Sequence, residues 1–283
     1  MSELPITVYT PESSLRNPRR LFREMIRDVA ASRELAWRLF VRDVSARYRQ
    51  SLLGYVWAFL PPLVGTFTFV LLNRSGVLRT GELPVPYPAF VMLGTLLWQV
   101  FADAILSPMK TVTAAKSLLT KINVPKEAIL VSGVLEVLFN FMIRLALLIG
   151  VLVYYGISPA ATAPLAVVGF VAILCLGFMI GVLLTPVGIL YADIGQALAL
   201  LLTFWMLFTP VVYMPPSSGF LATLTRLNPV SPLIVTTREW LLLGATTQAG
   251  TALAVFGVTL VLLFMGWVLY RLAMPILVER IGG

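Results

Sequence analysis

Long apolar runs separated by short polar connections dominate this chain, and the runs have the length of membrane helices. Leu52 to Leu72 is uncharged over 21 residues. At about 1.5 Å per residue that matches a hydrocarbon core of roughly 30 Å. The run follows directly on a basic, amphipathic segment that starts at Arg47 and reads RYRQSLLGYVW. Runs of about 20 apolar residues predict six membrane helices. They cover residues 53–72, 87–107, 128–154, 165–184, 197–213 and 252–270. Pro61 and Pro62 should bend the first, because each lacks a backbone donor. The third is long enough to tilt, the fourth has room to continue to Leu190 despite Pro186, and the fifth is the shortest.

Three segments outside these runs have their own pattern. Residues 33–53 read as an interfacial helix: Trp37, Phe40, Val44 and Tyr48 recur at three- and four-residue spacing, and Arg38, Arg42, Ser45 and Arg49 form a separate polar stripe. It can anchor the chain to the membrane surface, and the same helix can dock a soluble partner or anionic lipid head groups. Arg-rich residues 16–27 read as a further interfacial helix, with a flexible arm as the alternative. The connection 214–250 holds Pro215, Pro216, Pro229 and Pro232 together with the apolar pieces 219–227 and 232–243, which are too short to span. These predict short helices at the mouth of the bundle or re-entrant segments sheltered by protein. No internal repeat is visible, which disfavours an inverted-repeat secondary transporter.

Composition turns this pattern into a class. The chain is 59% hydrophobic and 12% charged, and a soluble domain carries about twice that charged fraction. The expectation is an all-α integral membrane protein with six transmembrane helices, an N-terminal interfacial helix and short helices at an outer gate. The first 50 residues are too polar for the apolar core of a signal peptide, so no cleavage is expected. Residues 1–53 hold ten arginines, 108–127 hold Lys110, Lys116, Lys121 and Lys126, and the C-terminal segment holds Arg271 and Arg280. A six-span chain puts all of these on one side and leaves Arg74, Arg79, Arg226 and Arg238 on the other, so both termini are expected in the cytoplasm. The net charge of +8 reflects this bias and does not call for nucleic acid. Cys175 is the sole cysteine and histidine is absent. No intramolecular disulfide can form, and histidine-based metal sites, general bases and proton relays are excluded. No catalytic residue and no metal ligand set is expected.

Candidate chemistry is sparse. No GxxxxGK[ST] phosphate loop occurs and the last lysine is Lys126, so ATP hydrolysis, with its ATP and Mg, would have to lie on another polypeptide, and this chain is expected to bind no cofactor. Glu136, Asn140 and Arg144 are spaced four apart within the third predicted span, along one side of a helix. They read as a polar seam between packed helices or as a polar lining to a substrate path. Asp103 and Asp193 fall near predicted helix ends, where solvation is easy. Gly177 and Gly181 form a small-xxx-small pair suited to close helix packing. Trp57 and Phe67 of the first span and Trp205 and Phe208 of the fifth, with Tyr213, are candidate channel residues, since aromatic faces can stack on sugar rings. Their simpler reading is contact with lipid and neighbouring helices.

Taken in order, the motifs carry a resemblance. Asp43 followed by RYRQSLLGYVWAFLPPL from Arg47 to Leu63 resembles the entrance motif of ABC type-2 permeases that export cell-surface polysaccharides: O-antigen, teichoic acid and capsule. Tyr87-Pro88, KSLLTKINVPKEAI from Lys116 to Ile129, TPVVY from Thr209 to Tyr213 and NPVSPLI from Asn228 to Ile234 follow in matching order. The chain departs from the family pattern at Tyr191-Ala192-Asp193, where an Arg-Asp pair is common, and at Val124-Pro125, where an aromatic often precedes the proline.

The resemblance implies a homodimer with two copies of a separate ABC ATPase in the bacterial inner membrane, with no part for nucleic acid. It divides the chain into a cytoplasmic arm 1–32, the interfacial helix 33–53, a transmembrane permease domain 54–271 and a cytoplasmic tail 272–283. Within the permease domain, 108–127 would carry the ATPase-coupling segment, with Lys116, Lys121, Asn123, Pro125 and Lys126, and 214–245 would form the outer gate. The first and fifth spans of both copies would line the channel. Arg47 and Arg49 would attract the phosphate or diphosphate of a lipid anchor, beside their simpler role of marking the membrane edge. The implied cargo is a lipid-linked polysaccharide, most simply on polyprenyl diphosphate. The alternatives are a capsule polysaccharide on a glycerolipid and efflux of drugs or small lipids. A membrane glycosyl- or acyltransferase is disfavoured by the missing histidine and the lack of clustered membrane-edge carboxylates.

Overall fold

The computed structural model describes residues 18–49, 56–77, 83–121, 124–191 and 193–282. These residues form ten α-helices, with no strand among them. The first, α1 (Pro18–Arg49), is one 32-residue helix, about 48 Å long. It begins with proline, which suits a first helical position, and no later Gly or Pro interrupts it. The Arg-rich stretch and the expected interfacial helix are thus one element. Met25, Ser32, Ala36, Leu39 and Val44 form its buried face. Trp37, expected on that face, is 56% exposed. The smaller residues close against the bundle while Trp37 lies at the edge, its ring 5.3 Å from Phe40.

Helices α2 (Val56–Arg74) and α3 (Tyr87–Ala114) follow; Pro61 and Pro62 lie within α2 and do not end it. A six-residue helix, α4 (Lys116–Lys121), precedes α5 (Lys126–Tyr154). Then come α6 (Ala166–Leu190), which carries Pro186 inside, and the short α7 (Asp193–Leu207). The connection after α7 contains α8 (Phe220–Leu227) and α9 (Val230–Arg238), and α9 runs into a π turn at Glu239–Leu243. Gly244, at φ +70°, closes that turn in the left-handed region where glycine is favoured. The last helix, α10 (Ala249–Gly282), is about 51 Å long, well beyond the expected 252–270.

Among the described residues, four helices are long and apolar enough to cross a membrane: α3, α5, α6 with the 3-10 turn before it, and α10. The apolar α2 and α7 are shorter, about 28 and 22 Å. α7 stops at Leu207 where the expected span ran to 213. The TPVVY segment folds instead as turns, in which Pro210 cannot supply a backbone donor.

The core forms around α3, whose apolar window is buried on most sides. α6 packs closely along it because glycines remove the intervening side chains. A Cβ on Gly177 would come within 2.6 Å of the Phe101 carbonyl oxygen, and one on Gly181 would strike that of Ile105. Both α2 and α7 pack on α3, while α2 also touches α5 and α7 also touches α6, with no substantial contact between α2 and α7 themselves. One end of the bundle carries α4, the ends of α3, α6 and α10, and the starts of α5 and α7. The opposite end carries α8 and α9.

Candidate substrate path and coupling site

At the α4 end, charged side chains tie four helices together. Arg47 of α1 and Lys110 of α3 converge on a single carboxylate oxygen of Glu136 in α5, with the Lys110 ammonium at 2.7 Å. Two cations on one carboxylate leave a positive surplus, and Lys110 is the more open of the two. Arg271 of α10 bridges Asp28 of α1 at 2.6 Å and Glu127 of α5 at 3.1 Å. Arg49 is exposed at the end of α1.

Farther along α5, Arg144 pairs with Asp103 of α3 at 2.7 Å. Asp103 therefore sits eleven residues inside α3, which continues to Ala114, and not at a solvated helix end. Glu136 and Arg144 both reach across to α3. Asn140 between them is half-buried and has no side-chain hydrogen bond among the described residues.

The coupling-segment residues separate. Lys116 turns inward and donates to the carbonyl of Ile189 at 3.1 Å, while Lys121 is exposed. Pro125 stands at the N-terminal boundary of α5 and Lys126 opens it; Asn123 lies outside the described residues. Leu119 anchors α4 in a second apolar cluster with Ile189 of α6 and Tyr270, Met274 and Leu277 of α10. The C-terminal extension of α10, expected only as a cytoplasmic tail, thus buttresses α4.

The aromatic candidates also divide. Phe67 is 68% exposed and lies on an open stripe of α2 with Leu60, Val64 and Leu71. Phe208 is exposed beside an equivalent stripe on α7 formed by Leu200, Leu201, Phe204 and Leu207. Trp205 instead packs edge-on against Phe101 at 5.3 Å and donates its indole N–H to Asn228 at 3.1 Å. Tyr213 donates to the Leu207 carbonyl at 3.0 Å. The side chain of Trp57 lies outside the described residues.

At the opposite end, every residue of α9 is buried. Arg238 is 3% exposed and pairs with no carboxylate among the described residues. Its guanidinium donates to the carbonyls of Pro210 at 3.2 Å and Val211 at 2.7 Å, and its charge lies 3.8 Å over the Phe90 ring. Gly94 makes room for it, since a Cβ there would reach 2.5 Å from the guanidinium. The sequence offered Arg238 only as a basic residue on the minority side, and nothing in its spacing revealed the clamp.

The bundle thus has one charged end with the small helix α4 seated there, and at the other end the fully buried α9 beside the largely exposed α8. Residues 34–242 match the family described as ABC-2 type transporter. The chain belongs to that family. Among its relatives, the O-antigen export system permease protein RfbA of Myxococcus xanthus is 29% identical over 189 residues, covering 67% of this chain and 72% of that protein. A Klebsiella pneumoniae protein of the same description is 23% identical over 206 residues, covering 70% and 76%. The polysialic acid transport protein KpsM of Escherichia coli is 25% identical over 239 residues, covering 82% and 91%. This ABC-2 transporter chain is a multi-pass membrane protein. Its family match takes in the second half of α1, the whole of α2 through α9 and the charged layer at Glu136.

Proposed function

We propose that this chain is the permease subunit of an ABC exporter that carries a lipid-linked cell-surface polysaccharide across the bacterial inner membrane. A homodimer would work with two copies of a separate ATPase. The observation that carries this reading is the likeness to O-antigen export permeases across two thirds or more of both chains. The basic bias supports a cytoplasmic position for the α4 end and both termini. α2 and α7 then complete six spans, their modest lengths offset by flanking polar residues and local thinning of the bilayer.

Two apolar stripes that do not pack on each other within one copy favour a path shared between copies. Phe67 on α2 and Phe208 on α7 would face sugar rings or the second protomer. Arg49, Lys110 and Arg47 would receive the anchor's phosphate or diphosphate at the cytoplasmic face, where the surplus charge around Glu136 suits an anion. α4 would seat in the ATPase, and closure of the ATPase would shift the balance between two states of the bundle through their different contacts. The likeness to the polysialic acid transporter over 91% of that protein favours a second cargo, a capsule polysaccharide on a glycerolipid.

Depletion of the chain in its native host tests the reading. Full-length lipid-linked polymer should build up on the cytoplasmic face, and its anchor would distinguish the two cargoes. An unchanged surface glycan with no such build-up would overturn the proposal.

A further inference from the structure

Lys116 opens α4, yet its ammonium reaches α6 and donates to the carbonyl of Ile189, one residue before that helix ends. The last carbonyls of a helix have no partner within it, and that end carries partial negative charge. α6 has no basic residue of its own in its last turn, so the cation that caps it comes from another element. Among the described residues, Lys116 supplies the only polar side-chain bond from α4 to another helix; Thr120 bonds back to carbonyls of α4 itself.

The surroundings turn this cap into a joint. Lys116, Thr120, Leu119, Ile189 and Leu277 line a narrow groove among α4, α6 and α10. Beside it, the Met109 side chain of α3 fills the space a Cβ of Gly188 would occupy, so the end of α6 cannot slide freely past α3. Asp193, the first residue of α7, lies four residues after Ile189. α7 is the helix with the open apolar stripe, and its packing within the protomer is light.

We infer that Lys116 is a positioning residue for coupling. It fastens α4 to the α6–α7 turn, so a displacement of α4 is delivered to α7 and is not absorbed by the chain on either side of α4. This rests on the reading of α4 as the element seated in the ATPase. A lysine used as an ATPase contact would instead point away from the bundle, as the exposed Lys121 does.

The test uses the full complex, purified by a tag on this chain, with ATP hydrolysis and polymer export measured together. Lys116→Ala should retain the ATPase at wild-type stoichiometry and hydrolyse ATP, while export per ATP falls about tenfold. Lys116→Arg, which can still donate to Ile189, should restore the ratio. A normal ratio in Lys116→Ala would overturn the inference, and so would loss of the ATPase from that variant, which would make Lys116 a direct contact. A Ser117→Trp/Lys121→Glu variant on the exposed side of α4 separates the underlying reading. It should release the ATPase, and if the ATPase stays bound and active, α4 is not the docking element and the inference falls with that reading.

Discussion

Arg144 of α5 and Asp103 of α3 meet at 2.7 Å, with side chains only 16% and 24% exposed. Removing one member of a buried pair strands the other charge, at a cost of about 3 kcal/mol or more, whereas replacing both with apolar residues of similar size is close to neutral. Arg144→Leu and Asp103→Leu should each lower the unfolding temperature and the yield of detergent-purified protein. The double variant should recover most of the loss. Equal losses in all three variants would show that the pair is not the source of the stability.

The clamp at Arg238 makes a second prediction. Arg238→Ala strands the carbonyls of Pro210 and Val211 and should cost about 2 kcal/mol. Gly94→Ala should reproduce the defect, because its Cβ would collide with the same guanidinium and with the Val211 carbonyl. Thermal unfolding and surface-glycan export should fall together in both. A stable, active Gly94→Ala would contradict the close approach.

Much of this architecture was legible in the apolar pattern, and what escaped has a common cause. Hydropathy identified the runs that became α3, α5, α6 and α10, because burial in lipid demands an unbroken apolar length. It did not reveal that α10 continues to Gly282, since Arg271, Glu279 and Arg280 break the uncharged run and Pro275 lies within the extension, which packs through Met274 and Leu277. The early end of α7 at Leu207 also escaped, because TPVVY is as apolar as a span. The partners of Asp103, Lys116 and Arg238 lie 41, 73 and 27 or more residues away, beyond any local periodicity. The resemblance carried by the RYRQ and NPVSPLI motifs, by contrast, is matched by the family to which the chain belongs.

The surplus charge at the α4 end predicts a defect in substrate affinity. Arg49→Ala/Lys110→Ala removes two exposed cations and leaves the Arg47–Glu136 pair in place. The apparent KM for lipid-linked polymer should rise about tenfold, the scale of one lost charge-assisted hydrogen bond, with kcat little changed. An unchanged KM would assign these residues to the membrane boundary alone.

Phe67 and Phe208 offer a geometric check on the shared path. In a Cys175→Ala background, Phe67→Cys and Phe208→Cys should each cross-link two copies of the chain with a short bifunctional thiol reagent, and lipid-linked polymer should suppress the reaction. A Val258→Cys control on the exposed face of α10 should not cross-link. Cross-linking at the α10 control and at neither phenylalanine would move the interface to the other side of the bundle.

The most direct measurement of the central claim uses inverted membrane vesicles containing this chain and its ATPase, with lipid-linked polymer on their outer surface. Addition of ATP should carry the polymer into the lumen, where a membrane-impermeant glycosidase no longer reaches it, and vesicles lacking the chain should show no protection. Polymer that stays accessible while ATP is hydrolysed would contradict the assignment of this chain as a polysaccharide exporter.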